Sequence, residues 1–465
     1  MAAKEKKLIA FPVYPGLTPL DLIGPLTVLR NMGRTPYRTV VVGERVEELV
    51  TDTPLRLLPT ATFADVPAPW AVIAPGGGPA TSAATADDAL VGYVRSAAAG
   101  AELVGSTGNG ALVLAAADLL RGKRAAIHWA YREPLEELGA VYAPERWIED
   151  GRLLTAAGGT AGIDMALLAR KTRLGVSGTR LAQLFTEYDP QPPFGRVLPG
   201  DDDALARLLR EPDVARRPGG DGAGERLIAF VIYPGLTVLD LVGPLQVLTA
   251  LERFAPDYRT VVVGAGRAPV PTDVGVAVVP DRTFDEVPNP AIVLVPGGAV
   301  PTIRAMSDPV IREYVRTAAA SADLVTSVCT GSLILGAVGL LDGRDATTNW
   351  FYSGILENLG ARYHQKRWVE DGSVVMSAGV SAGIDMALHL AARLTDEATA
   401  RKVQLAIDYD PQPPYGGIDY ADIPPLPRAM RGAISLLAPA IAAPAKRASR
   451  IERQEGTGAQ RAGRP

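Results

Sequence analysis

Cys329 is the only cysteine in the chain, and it lies where a thiol could act as a nucleophile. The stretch from Leu324 to Trp350 reads L-V-T-S-V-C-T-G-S-L-I-L-G-A-V-G-L-L-D-G-R-D-A-T-T-N-W. The apolar run of Leu324, Val325 and Val328 predicts a strand. Cys329-Thr330-Gly331-Ser332 predicts a sharp turn, and the apolar spacing beyond it a helix that Gly343 stops. A side chain on such an elbow sits at the carboxyl end of a strand and at a helix N-terminus, where backbone N–H groups favour negative charge. The pattern therefore predicts a thiol that ionises more readily than one in a plain loop. A small buried hydrophobe is the competing reading of a lone cysteine; the strand–turn–helix context favours the nucleophile.

The elements that must position this thiol follow from an internal repeat. Leu8-Ile-Ala-Phe-Pro-Val-Tyr-Pro-Gly-Leu-Thr-Pro-Leu-Asp21-Leu-Ile-Gly-Pro-Leu returns as Leu227-Ile-Ala-Phe-Val-Ile-Tyr-Pro-Gly-Leu-Thr-Val-Leu-Asp240-Leu-Val-Gly-Pro-Leu. Pro75-Gly-Gly returns at Pro296, Thr160-Ala-Gly-Ile-Asp-Met-Ala-Leu at Ser381, and Tyr188-Asp-Pro-Gln-Pro-Pro at Tyr409. The repeat is as long as a domain, so it is a tandem duplication and not a solenoid. The expected organisation is a first domain over 1–195, a linker over 196–226, a second domain over 227–417 and a tail over 418–465. Gly, Asp, Arg and Pro dominate the linker, with one short helix at Asp202–Arg210. The tail predicts a helix near Pro427–Leu437 and disorder over its last fifteen or so residues.

Within each copy, apolar strand-like runs alternate with helical stretches. That alternation predicts two tandem flavodoxin-like α/β sandwich domains, each with a central, mostly parallel sheet covered on both faces. Sites in such sheets lie at the carboxyl ends of the strands. The Pro-Gly-Gly turns, the Asp240 turn and the Cys329 elbow all follow strands, so they are expected on one edge.

These motifs resemble the ThiJ/PfpI superfamily, the class I glutamine-amidotransferase-like fold, and the resemblance covers both copies. Within it the second copy is most similar to the isonitrile hydratases, through Y-P-G-L-T-V-L-D-L-V-G-P-L, V-P-G-G, T-S-V-C-T-G-S-L-I-L-G-A-V-G-L-L, A-T-T-N-W and S-A-G-V-S-A-G-I-D-M-A-L. The sensor domains of certain AraC-type regulators carry similar motifs, but the segment after Gly417 is too short for their DNA-binding region. The resemblance implies Cys329 as nucleophile, Asp240 as the acid facing it, and Thr330 as a hydroxyl used in the isonitrile reaction. It implies that the Gly298 N–H, in Pro296-Gly297-Gly298, lies near the thiolate. Gly297, Gly298 and Asn349 are the candidate substrate-binding or oxyanion positions.

An isonitrile carbon is weakly electrophilic until it or its nitrogen accepts a proton, so hydration needs a nucleophile and a proton donor held together. Cys329 would attack the terminal carbon while protonated Asp240 delivers the proton. Water would then resolve the thioimidate-like intermediate to an N-substituted formamide. A carboxyl beside a thiol has its pKa raised by burial and like charge, as an acid at neutral pH requires.

The first copy departs from this pattern. It has Gly108 where the second has Cys329, and Asn109 where the second has Thr330; Asp21 and His128 remain as parts of a degenerate site. An acid without its thiol cannot run this chemistry, so the first copy is expected to be non-catalytic. In the second copy Asn349 stands where the first has His128, which excludes a Cys–His dyad at that position. With His364 and His389 scattered elsewhere, no metal site is expected. Two other readings follow from the same residues: a ligand-binding or redox-sensing protein in which Cys329 is oxidised, and a glyoxalase- or deglycase-type enzyme.

A net charge of −4 with 21% charged residues points to neither nucleic acid nor an anionic membrane. Neither a spanning segment nor a signal-peptide core is evident, and one cysteine allows no intrachain disulfide. The expectation is a cytoplasmic, cofactor-free enzyme acting on a small molecule. Its two copies, alike in their Asp-Leu-x-Gly-Pro-Leu helices, are expected to pair as a pseudo-dimer, with further self-association left open.

Overall fold

The computed structural model describes residues 6–30, 36–174, 176–197, 203–211 and 224–462. The continuous apolar runs of each copy form the buried strands of a seven-stranded sheet. In the first copy the order is Trp147–Asp150, Leu153–Ala156, Leu103–Ser106, Ala71–Ala74, Lys7–Pro12, Tyr37–Gly43 and Ala61–Thr62. In the second it runs, from the opposite edge, Arg282–Thr283, Tyr258–Gly264, Arg226–Val231, Ile292–Val295, Leu324–Val328, Val374–Ser377 and Trp368–Asp371. All neighbours are parallel except the pair at the Trp edge of each sheet. Strands such as Ile292–Val295 and Leu324–Val328 are buried along their whole length, as a parallel sheet covered on both faces requires. Each copy thus has the doubly wound α/β architecture.

The helices Pro19–Leu29 and Val238–Leu251, which carry Asp21 and Asp240, are buried over nearly all their residues. They pack on one another and on the helices Gly159–Leu174 and Val380–Leu394, respectively. A four-stranded sheet also joins the copies, with Arg56–Leu58 antiparallel to Ala277–Val279.

The segments after Tyr188 and Tyr409 cross over. The Gln191 N–H donates to Asp385 Oδ2 at 2.9 Å, and the Gln412 N–H donates to Asp164 Oδ2 at 2.9 Å. Each of these buried aspartates also pairs with an arginine of its own copy, Arg367 and Arg146. The two halves therefore exchange equivalent strap segments, a relation that sequence spacing alone could not reveal.

The C-terminal region differs from expectation: one helix spans Pro425–Ala462. Ala438, Ala442, Ala445 and Ser449 are buried at helical spacing, while Pro439 and Pro444 lie on the exposed side. A buried stripe of small residues, not composition, holds this helix against the second copy, and Arg312 pairs with Glu452 at 2.8 Å. The linker helix spans Asp203–Arg210, and Asp202 of the expected helix lies outside the described residues. Among the described residues no helix is long and apolar enough to cross a membrane.

Candidate active site

The strand Leu324–Val328 ends beside Ile292–Val295, with Ser327 opposite Val295. The Cys329 elbow and the Pro296–Ala299 loop therefore leave the sheet side by side. Cys329 adopts φ +56°, in the left-handed region that L-residues rarely occupy. Its N–H donates to the Ser377 carbonyl at 2.9 Å. Its own carbonyl accepts from the hydroxyls of Ser332 and Thr348, both at 3.1 Å. Backbone strain fixed by surrounding hydrogen bonds is what holds a reactive side chain in one direction.

Asp240, in the first turn of its helix, is fully buried and faces the thiol. Neither of its carboxyl oxygens has a partner in hydrogen-bonding geometry. The Cys329 thiol and the Gly297 amide face the carboxyl and offset part of the cost of burial. A Cβ at Gly297 would come within 2.7 Å of Asp240 Oδ2 and of the Thr330 nitrogen, so only glycine admits this approach. Burial, with the Asp273 charge adding to it, pushes the Asp240 pKa up to about 8. The carboxyl is therefore uncharged at neutral pH and able to donate a proton.

The thiol does not behave as its helix terminus alone predicts. Burial, followed by the nearby Asp240 and Glu187 carboxyls, raises the Cys329 pKa well above the ordinary thiol value. The helix that follows, Gly331–Ala337, has only seven residues, too little to offset desolvation and two acids. The site thus holds a neutral thiol against a neutral carboxyl.

Thr330 and the glycine loop form a unit of their own. Thr330 Oγ1 accepts from the N–H groups of Gly298 at 3.0 Å and Ala299 at 3.2 Å. It pairs with Thr302 Oγ1 at 2.9 Å, which pairs with the Tyr233 hydroxyl at 3.0 Å, and Tyr233 donates to the Pro296 carbonyl at 2.9 Å. The Gly298 N–H, expected near a thiolate, is thus taken up by Thr330, whose hydroxyl is itself committed to shaping the loop.

Asn349, a candidate substrate-binding position, lines the same cavity, and both ends of its amide have protein partners. Its Oδ1 accepts from the Phe351 N–H at 3.1 Å, and its Nδ2 donates to Glu187 Oε2 at 2.7 Å. Glu187 belongs to the first copy, was not singled out in the sequence, and is buried in the second copy's site. One signal could have found it: an acid precedes Tyr-Asp-Pro in both copies, as Glu187 and as Asp408. The cavity that takes Cys329, Asp240 and Glu187 in its wall has a volume of 680 Å³ and is completed by Met430 of the terminal helix. His364 and His389 lie elsewhere, against Asp345 and Glu370.

In the first copy Gly108 occupies the elbow with φ +54°, and the Asp21 carboxyl has moved into the space a side chain there would take. Asp21 is also pushed up to about 8 by burial. Asn109 Oδ1 accepts from the Gly77 N–H and from Thr81 Oγ1, both at 2.9 Å. His128 Nε2 meets the Ala406 carbonyl of the other copy at 3.2 Å. Gly108→Cys is therefore expected to destabilise the protein by roughly 1–3 kcal/mol, through overpacking against Asp21, and to add no turnover in a Cys329→Ser background. Thermal unfolding and an activity assay of the double variant check this.

The DJ-1/PfpI family model matches residues 7–171 and again residues 226–393, together more than half of the chain. This protein belongs to the DJ-1/PfpI family. It carries two family domains in tandem, as the repeat leads one to expect. This DJ-1/PfpI protein is 43% identical over 189 residues to the isonitrile hydratase of Pseudomonas putida, covering 40% of this chain and 80% of that enzyme. It is 30% identical over 186 residues to the HTH-type transcriptional regulator CdhR of Pseudomonas aeruginosa, covering 39% of this chain and 53% of the regulator. Among solved structures it is similar to a ThiJ/PfpI family protein from Pseudomonas syringae, at 35% identity and a TM-score of 0.43, covering 49% of this chain and 91% of that one.

Proposed function

We propose that this protein is a cofactor-free isonitrile hydratase with one working site, in the second copy. The observation that carries the reading is the placement of the Cys329 thiol opposite the buried Asp240 carboxyl on the wall of a 680 Å³ cavity. Addition to an isonitrile places sulfur and hydrogen on the same carbon. Asp240 gives its proton to the terminal carbon as Cys329 Sγ attacks it, and the thiol proton passes to Asp240, leaving R–N=CH–S–Cys329. Water then adds to that carbon, and the C–S bond breaks to release the N-substituted formamide and the thiol. Similarity to the Pseudomonas putida enzyme over most of that enzyme's length supports the same reaction. A raised thiol pKa argues against the redox-sensing alternative, since oxidation follows thiolate character.

Thr330 acts here by fixing the Pro296–Ala299 loop, and the two copies act as an intramolecular pseudo-dimer with the first copy non-catalytic. The test is formamide production from cyclohexyl isonitrile. The intact chain is expected to turn over and Cys329→Ser to be inactive; an inactive intact chain, or a Cys329→Ser variant that still forms formamide, overturns the reading.

A further inference from the structure

The proposed reaction has two halves, and Cys329 with Asp240 accounts for the first. The second half needs a base for the attacking water, and Asn349 cannot serve as one. The carboxyl that Asn349 holds can. Glu187 reaches the site from the first copy, just beyond the helix Val176–Phe185. Its carbonyl accepts from Ser381 Oγ at 2.8 Å, and the next amide but one, Asp189, donates to the same hydroxyl at 2.9 Å. It is held at φ +45°, a strained conformation for a side-chain-bearing residue. A Cβ at Gly379 would collide with Glu187 Oε2, so the second copy leaves space for this carboxyl.

The two acids on the cavity wall differ in their surroundings. Glu187 accepts from Asn349 Nδ2 at 2.7 Å on one oxygen and from the Tyr420 hydroxyl at 3.2 Å on the other, and the Trp350 amide also faces it. Asp240 is faced by the Cys329 thiol and the Gly297 amide, neither of them in hydrogen-bonding geometry. Burial pushes both acids up to about 8, so near that pH the pair holds one proton. Hydrogen bonds favour the charged form, and those from Asn349 and Tyr420 place the charge on Glu187 and the proton on Asp240.

Resting on the hydratase reading, we infer that Glu187 of the first copy is the base that activates water in the second copy's site. Water attacks the thioimidate carbon and gives a proton to Glu187, while the C=N electron pair moves to nitrogen, which takes the proton of Asp240. The adduct R–NH–CH(OH)–S–Cys329 then collapses. Its hydroxyl proton returns to Asp240 as the C=O bond forms, the C–S pair returns to sulfur, and sulfur takes the proton from Glu187. Both acids and the thiol end as they began, and the sum is one isonitrile and one water giving one formamide. The degenerate first copy is retained, on this reasoning, because it completes the working site.

Glu187→Gln keeps the shape and can still accept from Asn349 while its amide nitrogen donates to the Tyr420 hydroxyl oxygen, but it cannot take a proton. In the full-length chain with cyclohexyl isonitrile, its kcat is expected to fall about 100-fold while kcat/KM changes less than about threefold, because C–S bond formation is untouched. Intact-protein mass spectrometry after an acid quench is expected to find the variant carrying one added isonitrile on Cys329, and Glu187→Asp to recover part of the lost kcat. Formation of that adduct itself reports a folded site. A Glu187→Gln kcat within about threefold of the intact chain, or a slow variant with no adduct, overturns the inference and leaves the hydratase reading standing. An intact chain that makes no formamide overturns that reading, and the inference with it.

Discussion

Asp240→Asn is expected to slow isonitrile hydration by about 10³-fold, with little effect on KM. Asparagine fills the same volume and keeps the polar face toward Cys329, so binding survives, but it has no proton to deliver to the isonitrile carbon. The pH dependence of the unmodified protein should report the same group. The Asp240 carboxyl, raised to about 8 by burial and by Asp273, faces Cys329, with Glu187 also near. It works in its protonated form while Glu187, also raised to about 8, works as the carboxylate, so turnover is expected to peak near pH 8 and to fall on either side. A rate flat to pH 9.5, or an asparagine variant within a few-fold of the parent, would move the acid role to another residue.

The same buried carboxyls should make the fold itself more stable in mild acid than in mild alkali. Asp21, Glu187 and Asp240 are each pushed up to about 8, whereas in an unfolded chain they titrate near 4. Between those values the folded state binds protons that the unfolded state has released, so unfolding free energy falls as pH rises through that window. Stability is fully present below about 4 and declines toward 8, by an amount on the order of several kcal/mol. Exposed carboxyls held low by hydrogen bonds, such as Asp65 and Glu286, act in the opposite direction but weakly, because solvent screens them. Thermal midpoints should therefore be higher at pH 5.5 than at pH 8. Asp21→Asn, which lies outside the working site, should flatten part of that slope. A midpoint that rises from pH 5.5 to 8 would contradict the raised carboxyls.

The two-copy architecture was legible because apolar strands, helical spacing and a domain-length repeat all agree. The Cys329 elbow was legible for the same reason: a strand, a small-residue turn and a helix in succession fix where one side chain goes. What escaped the sequence is what the fold brings together from afar. The helix terminus beside Cys329 is local and suggests an easily ionised thiol; the carboxyls of Asp240 and Glu187 and the burial around them are not local, and they prevail. Gly298 and Thr330 carry the expected spacing, yet which of the loop's N–H groups remain available depends on a hydroxyl thirty-two residues away in the chain. Glu187 was hidden because its motif belongs to one copy and its side chain to the other copy's site. The terminal helix includes the expected Pro427–Leu437 stretch but runs well past it, because the deciding feature is the buried spacing of Ala438, Ala442 and Ala445.

The most direct measurement uses an alkyl isonitrile labelled with ¹³C at its terminal carbon, followed by NMR with the full-length chain in D₂O. Hydration through Cys329 and Asp240 predicts that the label appears as the formyl carbon of the formamide, bearing solvent deuterium, and that Cys329→Ser leaves the isonitrile signal unchanged. Persistence of the isonitrile signal with the unmodified chain, or equal conversion by the serine variant, would contradict the assignment of this site to isonitrile hydration.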